Sequence, residues 1–69
     1  MILRWKEKTY RLQETSNGLL GIEEQHGHRV MLRRKPERPQ IYEVVPHSRR
    51  TQAMARFYFF QREGIFEAY

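Results

Sequence analysis

Arginine is the chemistry this sequence offers most of. His47-Ser48-Arg49-Arg50-Thr51 sets a hydroxyl that can cap a helix beside two guanidiniums. Free N–H groups at a helix start, the Ser48 hydroxyl and two arginine forks together suit a phosphate group. Arg33-Arg34-Lys35-Pro36-Glu37-Arg38 adds four basic residues on or beside a loop stiffened by proline. Arg29 and Arg56 could extend the two segments into one basic face. Ten of the thirteen basic residues are arginine, whose planar fork pairs with phosphate or carboxylate through two bonds and stacks on flat rings.

The charge is segregated along the chain. The net charge is +5, yet residues 1–28 balance four basic against four acidic residues. Residues 29–62 hold nine basic residues against Glu37 and Glu43, a net of +7. Such a face suits nucleic acid or an acidic protein surface.

Other chemistries find little material. His26 and His28 lie two apart and could share one side of a strand, but His47 is the only other histidine and no acidic residue shows a convincing ligand spacing. The expectation is a polar turn with no metal. There is no carboxylate pair in an apolar setting, no glycine-rich phosphate loop and no Ser-His-acid set, so the chain is expected to be non-enzymatic and free of cofactors. The absence of cysteine removes disulfides, thiol nucleophiles and cysteine-based zinc sites. With no apolar run of about 20 residues, it also points to a soluble, cytoplasmic chain.

A second feature is aromatic. Phe57, Tyr58, Phe59 and Phe60 follow one another in Ala55-Arg56-Phe57-Tyr58-Phe59-Phe60-Gln61. In a helix, Phe57 and Phe60 share the inner face, Tyr58 lies at its margin and Phe59 points away. Phe59 is then either covered by the N-terminal strand or, with Tyr58, a contact for a partner protein, a second copy of the chain or a stacked base.

The elements that must position these groups belong to one domain spanning residues 1–69. A chain this short buries only about 60% of the surface it exposes when unfolded, so a few aromatics must carry the core. Alternation predicts strands in Thr9–Glu14, with Tyr10 and Leu12 inward, and in Arg29–Arg34, with Val30 and Leu32 inward. A third runs through Leu19–Gln25 with Leu20 and Ile22 inward, and a shorter one covers Ile2–Trp5. Asn17-Gly18 signals a hairpin turn and His26-Gly27-His28 a second. Pro36 and Pro39 mark a loop, and Ile41–Val45 is a β-branched strand.

From Ser48 the period changes to three and four, through Ala53, Met54, Phe57 and Phe60. Ser48 as N-cap and Gly64 as C′ residue then bound a helix over about 48–63, before a short final strand at Ile65–Tyr69. The rival assignment makes Arg56–Gln61 a strand, with Phe57 and Phe59 on one face and Tyr58 and Phe60 on the other.

Antiparallel strands followed by a helix with a basic start are similar to the sheet-plus-helix DNA-binding modules at the N-termini of tyrosine integrases. Tyr42–Phe66 also resembles the strand-helix-strand end of small phycobilisome linker domains, through Val44-Val45-Pro46-His47-Ser48-Arg49-Arg50 and the glycine before the final strand. That family's Gly-Gly pair is Glu63-Gly64 here. Each resemblance covers no more than 25 residues, the first 28 match neither family, and neither assigns a residue role.

The expected fold is therefore α+β: a curved antiparallel sheet of four to five short strands packed against one C-terminal helix. Its core would draw on Leu12, Leu20, Ile22, Val30, Leu32, Val44, Ala53, Met54, Phe57, Phe60 and Ile65, with Trp5 or Tyr42 at one edge. The expected function is nucleic-acid or anion binding through Arg33, Arg34, Lys35, Arg38, Ser48, Arg49, Arg50 and Arg56. The alternative is a protein-interaction module, an inhibitor, adaptor or assembly factor that could dimerise and that uses Tyr58 and Phe59.

Overall fold

The computed structural model describes residues 1–47 and 49–68. Seven strands follow one another: β1 (Ile2–Trp5), β2 (Lys8–Thr15), β3 (Gly18–Glu23), β4 (Arg29–Arg34), β5 (Ile41–Pro46), β6 (Tyr58–Arg62) and β7 (Ile65–Ala68). Each pairs antiparallel with the next in sequence. An odd number of strands in such a meander leaves the first and last running the same way. Accordingly β1 and β7 pair in parallel, Leu3 opposite Phe66, and the sheet closes into a barrel. Closure leaves no sheet edge for another chain to extend.

This overturns the expected α+β sheet packed on a C-terminal helix. The only helix among the described residues is a 3-10 helix at Arg49–Arg56, and the predicted helix over 48–63 gives way at Phe57 to β6. The rival strand is found in part: β6 covers Tyr58–Arg62 with Phe59 inward, while Arg56 stays in the 3-10 helix and Phe57 is exposed at the bend between them. Two arginines and no acid in the first turn oppose the helix dipole, while consecutive aromatics fit a pleated strand better than a helix. Ser48, assigned as N-cap and as part of the phosphate site, lies outside the described residues. The sheet-plus-helix arrangement that the integrase resemblance implies is not found among the described residues either.

Gly64 does not end a helix. It shares with Glu63 the two-residue loop closed by Arg62 and Ile65, where φ is 53° at Glu63 and 81° at Gly64. Two successive positive φ values are what a type I′ hairpin turn demands.

Leu3, Tyr10, Leu12, Leu19, Val30, Leu32, Val44, Phe59 and Phe66 fill the barrel, with Tyr42 packed against them. The 3-10 helix places Met54 in the same core, with Thr51 also buried. Trp5 is buried and meets the Phe57 ring at 6.0 Å between centroids.

Tyr10, Leu12, Val30, Leu32, Val44, Met54 and Trp5 thus face where the pattern put them. Four other expected core residues, Leu20, Ile22, Phe60 and Ile65, are only half-buried, and Ala53 and Phe57 are exposed. In β3 the error is one of phase: Leu19, Gly21 and Glu23 face inward instead of Leu20 and Ile22. A side chain at Gly21 would meet Val30 at 3.0 Å and Leu12 at 3.1 Å, so glycine is what lets β2, β3 and β4 pack closely there.

Candidate nucleic-acid interface

The predicted basic residues divide into two groups on the barrel. Arg33 and Arg34 end β4, opposite Glu43 and Tyr42 of β5. Lys35 and Arg38 follow in the connecting loop, which is tied back by Lys35 N–H to Ile41 O at 2.9 Å and Ile41 N–H to Arg38 O at 2.9 Å. These bonds order a loop that two prolines already stiffen. Arg49, Arg50 and Arg56 belong to the 3-10 helix, which leaves β5 after Pro46. That point lies four residues from Tyr42, roughly 13 Å along the strand. Among the described residues, the β4–β5 side holds the denser group.

Two hollows mark that side. The first, about 340 Å³, is lined by Lys35, Glu37, Arg38, Ile41 and Tyr58. Tyr58 points outward on β6 and is 44% exposed, with the Lys35 ammonium 4.7 Å from its ring centroid. The same ammonium lies 3.9 Å from Glu37 Oε2. A cation over an aromatic face is favourable, so the ring and the charge are held as a unit beside Arg38.

The second hollow is a groove of about 590 Å³ at the open mouth of the barrel, where Leu19 and Phe66 meet the polar groups of Arg33, Arg34, Glu14 and Gln61. Arg34 donates to the Tyr42 hydroxyl from Nη2 at 2.9 Å and from Nε at 3.3 Å. Tyr42 sets its ring edge-on to Phe66 at 5.0 Å. The guanidinium is therefore oriented from the core outward, through one aromatic pair.

Phe59, expected to share a partner surface with Tyr58, is 0% exposed and belongs to the core. The exposed members of the run are Tyr58, at 44%, and Phe57, at 38%. Sequence reasoning also missed the barrel mouth, although the alternation that puts Leu12 and Phe59 inward puts Glu14 and Gln61, two residues on, at the same face.

At the β3–β4 turn, an acidic residue does join the two histidines. Glu23, His26 and His28 bring their ligand-type atoms within 4.8 Å of one another. Glu23 was missed because its inward direction shows only once β3 is read in the correct phase.

Comparison with known proteins finds no matching family model, curated protein or solved structure. No helix among the described residues is long and apolar enough to cross a membrane.

Proposed function

We propose that the chain is a small, non-enzymatic, cytoplasmic binding module that contacts single-stranded nucleic acid along the β4–β5 side. The observation that carries this reading is the hollow in which exposed Tyr58 lies beneath the Lys35 ammonium and beside Arg38, next to Arg33 and Arg34. Single strands are bound by combining a positive track for the phosphates with aromatic rings on which bases stack. Here the Lys35 ammonium swings off the Tyr58 ring and away from Glu37, a base stacks on the ring, and Lys35 and Arg38 take the flanking phosphates, with Arg33 and Arg34 continuing the track.

The test is a titration of labelled single-stranded DNA and RNA at about 50 and 200 mM salt, read by anisotropy. The expected affinity falls log-linearly, by about 0.7 per phosphate neutralised. Tyr58→Ala should weaken binding by about 1–3 kcal/mol with little change of slope, whereas Lys35→Ala with Arg38→Ala should flatten the slope. Undetectable binding at the lower salt sinks the reading.

A second reading, docking on an acidic protein, draws on a different surface. Leu20, Met31 and Val45 stand side by side on the outside of β3, β4 and β5 and are half-buried, with Arg29 and Arg33 flanking Met31 on β4. An interface built on that stripe would tolerate salt far better, and Met31→Ser, which adds no charge beside Arg33, would weaken it while leaving nucleic-acid binding intact.

A further inference from the structure

The β3–β4 turn is built around one carboxylate. The Glu23 N–H donates to His28 O at 2.8 Å and the Gly27 N–H donates to Glu23 O at 2.9 Å. With Gly27 at φ 72°, the chain reverses so that the His26 and His28 rings lie nearly parallel, 5.4 Å apart. Glu23 is 2% exposed. Its Oε2 accepts the Gln25 N–H at 2.6 Å and its Oε1 the His26 N–H at 2.8 Å. The carboxylate is thereby fixed by the backbone of its own turn.

Both imidazoles converge on the same oxygen. His26 Nδ1 lies 3.1 Å from Glu23 Oε1 and His28 Nδ1 lies 3.9 Å from it. The shorter contact can be a hydrogen bond and the longer one cannot. His28 Nδ1 is consequently a buried nitrogen with no hydrogen-bond partner. Buried polar atoms in that condition are rare in folded proteins, and a bound ion is one of the few things that resolves them.

We propose that Glu23, His26 and His28 form a binding site for a divalent first-row transition ion of the zinc, cobalt or nickel class. Two imidazoles and one carboxylate are a donor set suited to such ions, and three protein ligands leave positions for water. Metal–nitrogen and metal–oxygen bonds of about 2.0–2.2 Å put neighbouring donors roughly 3.0–3.5 Å apart. The His26–Glu23 separation already meets that requirement, His28 must approach Oε1 by about half an ångström, and the two histidine donors, within 4.8 Å of each other, must also close. The parallel rings must also turn so that their lone pairs meet at one point. His26 is free to do this, since its side chain is 62% exposed, and the same exposure gives the ion its way in. A bare His26–Glu23 hydrogen bond accounts for one ring only; an ion accounts for both. The site lies at the opposite end of β4 from Arg33 and Arg34, so it does not depend on the nucleic-acid reading.

The experiment titrates Co²⁺, followed by visible absorption, and Zn²⁺, followed by calorimetry, into the full chain after treatment with a chelator. The expected result is one ion per chain and a Tm raised by about 11–22 °C at a hundredfold excess over Kd. His26→Ala, which removes an exposed ring but keeps the backbone N–H groups that hold Glu23, should lower the metal-free Tm only slightly and weaken binding at least about tenfold, the scale seen when even outer-shell partners of a metal are removed. His28→Ala should do the same to binding, and His47→Ala should bind as the parent does. Absence of saturable one-to-one binding, unchanged affinity in His26→Ala, or loss of binding in His47→Ala overturns the proposal.

Discussion

Leu3 in β1 lies directly opposite Phe66 in β7, both fully buried, and this parallel pair is where the barrel closes. Phe66 also receives the edge of Tyr42 at 5.0 Å, so one ring links the closing seam to β5. Phe66→Ala should cost about 3–5 kcal/mol by opening a cavity at the seam, and Phe66→Leu less than about 2. A chain of this length has a total stability of only about 3–10 kcal/mol, so the alanine variant should lose a third of it or more. Chemical denaturation of the two variants checks this; equal losses would mean that the seam does not depend on the ring.

The consecutive aromatics should separate by strand parity. Phe59→Ala removes a fully buried ring and should cost about 3–5 kcal/mol. Phe57→Ser removes a ring that is 38% exposed, and its loss should be about 1 kcal/mol, largely from the contact with Trp5. A helical arrangement of this segment would give the reverse order, so two thermal melts decide between them.

That contrast shows where the sequence was informative. Tyr10 with Leu12 and Val30 with Leu32 alternate against charged neighbours, and their strands and inward faces were legible. In β3 the inward set is Leu19, Gly21 and Glu23 and the outward set Leu20 and Ile22, so hydrophobicity alone selects the wrong face. Glycine is inward for space and Glu23 because its own turn supplies the N–H groups it needs, and neither reason is visible from periodicity. Around Met54 and Phe57 a short 3-10 helix runs straight into a strand of aromatics, and the combined spacing imitates one longer helix. Of the candidate site, Arg33, Arg34, Lys35, Arg38 and Tyr58 were read from charge and aromatic content. Their separation from Arg49 and Arg50 needed the topology.

Glycine substitutions should rank by what surrounds them. Gly18 closes the β2–β3 turn at φ 139°, and a Cβ there would collide with the backbone carbonyl of Leu32. Gly64 has φ 81° with nothing within 4 Å of the added carbon. Gly64→Ala should therefore cost about 1–2 kcal/mol, the strain of the left-handed region alone, and Gly18→Ala more than twice as much. Denaturant midpoints that place the two within error of each other would contradict the close approach of β3 and β4.

Glu23 and Tyr10 should bound the pH range of stability. They stand opposite each other on the inner faces of β2 and β3. Burial acts to raise the Glu23 pKa, but the Gln25 and His26 amides and the His26 ring outweigh it, holding the carboxyl below its ordinary 4.5. For Tyr10, burial first and the nearby Glu23 charge second push the hydroxyl above its ordinary 10.0. A lowered acid contributes stability that is complete above about pH 4.5 and is lost as the pH falls through its folded value. A raised phenol contributes stability that is complete below about pH 10 and is lost as the pH rises through its folded value. Denaturant midpoints measured in chelator from pH 2 to 11 should form a plateau that declines at both ends. Glu23→Gln should flatten the acid limb and Tyr10→Phe the alkaline one. An acid limb identical in Glu23→Gln and the parent chain would show that this carboxylate does not hold the β3–β4 turn.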